Sequence, residues 1–322
     1  DASLIEQSFR YIVNRHEVLR TNILSEDGVG YQKVVSSENW TLIQESLSED
    51  NLEEHLEEFL IAPFDLANDY KLRACLYDTG NKKYVLACVF HHIASDGWSE
   101  DILVNEFTII HSSLQAGIEV NLPELTLQYA DYAVWQRKYL EGSVLDFQLS
   151  YWEEKLKNAT PLSLPTDYPR PAVQSTAGDH VTFTLDKKLS DDLNDLCEKE
   201  GVTIFMLLLA GFKVLLSRYS GQEDICIGTP VANRTQTELE GMIGFFVNTL
   251  ALRSDLSGNP KFSDLLKRIK NTTLEGYDYQ LAPFERIVDR VVKERDMSKS
   301  PLFQVMFVLQ NTAASDEEES NE

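Results

Sequence analysis

The stretch YVLACVFHHIASDGWS, residues 84–99, decides how the rest of the chain is read. Its first seven residues carry no charge and are rich in β-formers, the composition of a strand buried on both faces. His91 and His92 follow directly, then Asp96-Gly97. The pattern thus places two imidazoles where a buried strand reaches the surface. Histidine is the side chain best suited to move a proton near neutral pH. If the strand continues through both histidines, their side chains point to opposite faces and one alone faces a given cleft. With both faces of the strand apolar, periodicity leaves open which one. Ser99 is expected to cap a helix with Glu100 and Asp101 in its first turn, Leu103, Phe107, Ile110 and Leu114 on its buried face, and Gly117 as its stop.

Working outward, residues 72–77 form the companion strand of a hairpin through Asp78-Thr79-Gly80-Asn81. Upstream, Ile5, Phe9, Ile12, Val13 and His16 recur at helical spacing, and Asp50 with Glu53 reads as a capping box for a second helix. Downstream come helices at 127–140 and around Leu145, Leu149, Trp152 and Leu156. Residues 161–178 carry Pro161, Pro165, Pro169 and Pro171 without periodicity, the composition of a linker. The alternation then restarts: a strand at 180–185, helices at 189–200 and 204–219, strands at 225–231 and 245–252, a helix from 262 to about 275, and a buried strand at 302–310. The expected class is α/β with two lobes, 1–160 and 179–314, joined by 161–178 and followed by a solvated acidic tail, 315–322.

Composition narrows the function. Lys plus Arg total 29 against 52 Asp plus Glu, a formal charge of −23. Nucleic acid and anionic membrane surfaces need clustered cations, so neither is an expected partner. Cys75, Cys88, Cys197 and Cys226 are far apart, with no CxxC pair, and three lie in apolar or periodic segments, the pattern of small buried hydrophobes in a reducing compartment. The first residues, DASLIEQSFRYIV, lack the basic-then-apolar pattern of a leader, and the longest apolar run, 204–216, is broken by Lys213 and too short to span a bilayer. A soluble, cytoplasmic protein is the expectation.

Several chemistries lack their signatures. A zinc site needs about three protein ligands, and His16, His55, His111 and His180 form no metal-spaced cluster with His92 and Asp96. No GxSxG, Walker loop or GxGxxG occurs. What remains is a histidine acting as an acid–base or positioning group without a covalent nucleophile, which suits direct acyl transfer between two bound substrates. Asp96 either orients His92 or pairs with an arginine.

The stretch HHIASDGWS resembles the HHxxxDGWS signature of the condensation domains of nonribosomal peptide synthetases. Five further stretches resemble the family's other motifs in order: RHEVLRT at 15–21, YADYAVW at 129–135, IGFFVNTLALR at 243–253, Pro283-Phe284-Glu285, and RDMSKSPLFQ at 295–304. The family's first motif has no counterpart, and the chain stops soon after PLFQVMFVLQN, so it reads as a domain truncated at both ends. The resemblance implies two chloramphenicol-acetyltransferase-like lobes in a V-shaped pseudo-dimer with a tunnel between them. It implies amide-bond formation between a donor acyl or peptidyl thioester and an acceptor aminoacyl thioester. Both substrates arrive on the phosphopantetheine arms of upstream and downstream peptidyl carrier proteins, beside an adenylation domain, with no cofactor or metal held by the domain itself. Epimerisation, performed by a sister domain with the same HHxxxDG, and non-catalytic recruitment of carrier proteins are the rival readings. Trp98-Ser99 after the glycine matches condensation rather than epimerisation.

Carried onto this chain, the catalytic role falls to His92, with His91 structural. Asp96 is expected in a buried ion pair with Arg234, reached from the other lobe. Gly97 serves either close approach of a substrate arm or a positive φ. Trp98, Ser99, Asn248 and Thr249 are candidates for the tunnel wall, while Tyr129, Asp131 and Trp135 are expected to pack.

Overall fold

The structure, a computed structural model, describes residues 1–175, 177–293 and 296–310. The expected acidic tail, 315–322, and Arg295 of the last motif lie outside the described residues. The chain divides into two compact units: Asp1–Lys138 with Arg234–Phe246, and Tyr139–Asn233 with the chain from Val247 onward.

In the first unit, α1 (Ala2–Arg15) is capped by the Asp1 carboxylate, which accepts from the Ser3 N–H. Strands β1 (Thr21–Glu26) and β2 (Val29–Val34) form an antiparallel hairpin. Its turn residues Asp27 and Gly28 both have positive φ, as a tight two-residue turn demands. A second sheet has the order β3–β4–β5: β3 (Ile43–Ser46) runs parallel to β4 (Leu72–Gly80), and β5 (Lys83–Phe90) runs antiparallel to it. This is the hairpin expected from the sequence, with Asn81 and Lys82 at its left-handed tip. Helices α2 (Leu52–Ile61), α3 (Gly97–Ala116) and α4 (Tyr129–Tyr139) complete the regular elements. Phe9, Ile12 and Val13 of α1, Leu72 and Ala74 of β4, and Leu103 and Ile110 of α3 form the core, together with Ile243 from the 234–246 segment. The capping box expected at Asp50 and Glu53 is absent: Asn51 occupies the cap of α2 without a side-chain hydrogen bond, because a short 3₁₀ turn (Glu49–Asn51) leads into the helix.

The second unit holds α5 (Gly142–Leu156), α6 (Lys187–Glu200), α7 (Ile204–Ser220), β6 (Asp224–Val231), β7 (Asn248–Asp255), α8 (Phe262–Asp278) and α9 (Phe284–Val291). β6 and β7 pair antiparallel, and Ile225, Ile227, Leu250 and Leu252 pack with Trp152, Leu156, Leu209 and Ile269. Gly201 and Gly221 close α6 and α7 in the left-handed conformation. Cys75, Cys197 and Cys226 are buried, as their apolar settings predict.

Three expectations change. Residues 180–185 have the alternation of a strand yet pair with nothing among the described residues, leaving Val181 91% and Phe183 80% exposed. A period-2 pattern makes a strand only where a partner supplies the ladder. Residues 302–310 make one parallel bridge, Met306 to Gly228, rather than a strand. Phe303 lies so close to Gly228 that a Cβ there would fall 2.3 Å from its ring, so only glycine admits the contact. The unit boundaries also differ from the partition 1–160 and 179–314: α5 packs in the second core, and residues 234–246 belong to the first unit.

Candidate active site

Strand β5 stops at Phe90, so the two histidines are not strand residues on opposite faces. The Ala94 N–H donates to the His91 carbonyl, closing a turn with His92 and Ile93 at its tip. Below the tip, Ala94, Ser95 and Asp96 are buried, while His92 is exposed.

The two imidazoles are held in opposite tautomers by their partners. His91 Nδ1 stands 2.9 Å from the Ile93 N–H, which can only donate, so this nitrogen accepts. Burial, with the nearby Lys71 and His92, pulls the His91 pKa below its usual value and keeps that acceptor unprotonated. The His91 ring also meets Phe64 edge-on at 5.6 Å. His92 Nδ1 lies 2.7 Å from the Ser95 carbonyl, which can only accept, so this nitrogen carries the hydrogen. Its Nε2 lone pair is then left without a protein partner among the described residues.

Asp96 anchors the turn from beneath. It is the N-cap of α3 in a capping box with Ser99, so the cap lies three residues earlier than expected at Ser99. Its carboxylate accepts two parallel bonds from Arg234, at 2.7 and 3.0 Å, with both side chains essentially inaccessible. It also accepts from Ser99 Oγ at 2.8 Å and from the Phe246 N–H at 3.0 Å. Burial alone would raise its pKa, but Arg234, the Phe246 N–H and Ser99 together hold it below the ordinary carboxylate range. No side-chain contact joins it to His92. Arg234 further donates to the Leu239 and Met242 carbonyls and lies over the Phe246 ring at 4.2 Å. It was expected from the other lobe; its segment instead packs wholly within the first unit, because Asp96, Ser99 and the Tyr132–Leu239–Met242–Phe246 cluster take up its polar and apolar groups.

A second polar cluster holds the same segment. His16 Nδ1 accepts from the Ile243 N–H at 3.4 Å, and its Nε2 stands 2.9 Å from Glu106, which Arg15 also contacts at 2.9 Å. Burial raises the pKa of the Glu106 carboxyl, but His16 and Arg15 outweigh it and keep it ionised. Glu106 was missed from sequence. It lies between Leu103 and Ile110 at helical spacing, and an acid on an apolar helix face is the signal that finds it.

The remaining candidates separate. Ser99 is fully buried, which removes it from any solvent-facing wall. Trp98 is 46% exposed and its indole N–H donates to the Glu240 carbonyl at 2.9 Å. Gly97 opens α3 without a positive φ, and a Cβ on it meets open space, so the turn does not require glycine there. Asn248 and Thr249 belong to the second unit. The Asn248 amide donates both hydrogens, to the Gln280 and Ala282 carbonyls, and accepts from the Phe284 N–H, which ties β7 to the start of α9. Among the described residues, no three His, Cys, Asp or Glu side chains stand together as a metal cluster, and no single helix is long and apolar enough to cross a membrane.

A mixed α/β fold thus carries an exposed, tautomer-fixed histidine above a buried Asp–Arg pair. The condensation-domain family model matches residues 1–322, and the chain belongs to this family. It is 47% identical over 319 residues to a linear gramicidin synthase of Brevibacillus parabrevis, covering 97% of this chain and 4% of that protein. Among solved structures it is similar to the X-domain from teicoplanin biosynthesis (29% identity, TM-score 0.87, 95% of this chain and 69% of that one). It is also similar to a four-domain nonribosomal peptide synthetase bound to AMP and glycine (27%, TM-score 0.84, 96% and 24%). The chain thus spans a small fraction of the curated synthetases that it matches, which are multidomain proteins.

Proposed function

We propose that this chain joins an acyl or peptidyl thioester to the amine of an aminoacyl thioester, each carried on the phosphopantetheine arm of a carrier protein, with an adenylation domain as a neighbour in the synthetase. One observation carries the reading: the Ser95 carbonyl holds Nδ1–H of the exposed His92, so its Nε2 lone pair faces no protein donor among the described residues. An α-amine of pKa about 8 must lose a proton as it attacks, and an imidazole of pKa about 6.5 is a suitable acceptor. The amine nitrogen forms a bond to the thioester carbonyl carbon, His92 Nε2 takes the proton, the C–S bond breaks, and the departing thiolate receives a proton from Nε2. His92 ends as it began, so no covalent enzyme intermediate is needed. Positioning the two tethered reactants supplies the larger share of the rate, because a thioester is already activated.

His91, with its acceptor nitrogen turned to the Ile93 amide, and Asp96, saturated by Arg234, Ser99 and Phe246, hold the turn and take no proton. Gly97 and Trp98, exposed at the head of α3, offer a surface for a substrate arm. The test supplies both loaded carrier proteins and follows the dipeptidyl thioester by mass spectrometry. His92→Ala is expected to lower its formation by about 10²–10⁴-fold, the range for one acid–base group; equal product from variant and wild type would remove His92 from the chemistry.

A further inference from the structure

The hydrogen bond to Ser95 restrains the His92 ring from its Nδ1 edge alone, and the χ2 well of a histidine is broad. A second contact exists. The Phe245 ring meets the imidazole edge-on, with centroids 5.4 Å apart and planes at 77°. Phe245 is 40% exposed and belongs to no hydrophobic cluster, whereas its neighbour Phe246 is buried beneath Arg234. A phenyl ring left outside the core would ordinarily be mobile, but the backbone that carries it is pinned at three successive residues. The Gly244 N–H donates to Ser99 Oγ at 3.2 Å, the Phe245 carbonyl accepts from the Tyr129 hydroxyl at 2.7 Å, and the Phe246 N–H donates to Asp96 at 3.0 Å. A Cβ on Gly244 would lie 2.4 Å from the Tyr129 ring, so only glycine lets the segment come this close.

We propose that Phe245 is a positioning residue that sets the plane of the His92 imidazole, and that Tyr129 and Asp96 act on His92 through the backbone on either side of Phe245. This inference rests on the proposed role of His92. It gives the buried carboxylate a link to the chemistry that involves no proton transfer: Asp96 holds the Phe246 amide, the amide holds Phe245, and the phenyl edge limits the imidazole. Edge-to-face packing suits the purpose, because it confines the ring without occupying either nitrogen.

The experiment compares the wild-type chain with Phe245→Ala, Phe245→Tyr and Tyr129→Phe by ¹⁵N-edited NMR of the His92 ring and by single-turnover rates with loaded carriers. In Phe245→Ala the His92 ring protons are expected to lose the shift imposed by the phenyl ring. The two nitrogens should drift toward averaged tautomers, and the rate should fall by roughly tenfold or more, with thermal stability and carrier affinity unchanged. Phe245→Tyr, which keeps the ring, restores both signals and rate, and Tyr129→Phe shows the same changes as Phe245→Ala to a smaller degree. Unchanged His92 resonances in Phe245→Ala, or a rate loss that Phe245→Tyr does not restore, would overturn the proposal. If His92→Ala retains full turnover, the catalytic reading fails separately, while the resonances still decide whether Phe245 holds the ring.

Discussion

Asp96 with Arg234 in the first unit and Lys213 in the second are all withdrawn from water, yet they are kept there by different means. The Asp96 carboxylate meets a guanidinium through two parallel bonds and has its other lone pairs taken by Ser99 and the Phe246 N–H. Lys213, on α7, is fully buried and finds only neutral oxygens, the Leu252 carbonyl at 2.6 Å and Ser254 Oγ at 2.7 Å. Burial therefore dominates and pushes its pKa down to about 7, with Cys226 and Asp224 opposing. A paired ion keeps its charge when buried, and an ion offered only neutral dipoles gives it up. Held below the ordinary carboxylate range, Asp96 stays ionised near neutral pH and keeps the turn that carries His92 in place.

Breaking the paired ion is expected to have the largest effect. Asp96→Ala strands the Arg234 guanidinium and should cost about 3–5 kcal/mol of stability, read by denaturant unfolding, with turnover lost alongside. A loss below about 1 kcal/mol would mean that the pair is solvated after all. Lys213→Met acts in the opposite sense. The folded pKa of about 7 lies below the ordinary 10.5, so between these values the unfolded chain holds more protons. Stability from this group is therefore complete above pH 10.5 and is lost as pH falls toward 7. Lys213→Met should abolish a pH dependence on the order of a few kcal/mol across that window; parallel stability–pH curves for the two proteins would contradict it. Smallest is Gly97→Ala. With no positive φ to lose and open space before its Cβ, it should raise stability by about 0.4–1 kcal/mol, chiefly by restricting the unfolded chain. If the proposed substrate arm passes over Gly97, the added methyl should also lower turnover.

The β4–β5 hairpin, α3 and its Gly117 stop were legible in the sequence because each depends on local signals, a buried apolar run or a left-handed glycine. The cap of α3 is harder to place from sequence, since Asp96 and Ser99 form one box and either residue alone fits the pattern. The strand expected from 245 begins at Asn248, because residues 244–246 spend their backbone groups on Ser99, Tyr129 and Asp96 rather than on a ladder. Such a choice is made by residues more than a hundred positions away, and no local pattern reports it. The same holds for His91 and His92. Their spacing suggested opposite faces of a strand, whereas the distinction lies in what each Nδ1 meets, an N–H for one and a carbonyl for the other.

In the proposed reaction the His92 Nε2 lone pair accepts the amine proton while everything beneath it only holds the ring. Replacing His92 by glycine and supplying a series of substituted imidazoles of graded basicity to the condensation reaction tests this directly. Product formation is expected to return and to rise with the basicity of the added imidazole, as general-base catalysis requires. Restored rates that do not vary with basicity would contradict proton acceptance and leave His92 a purely positional role.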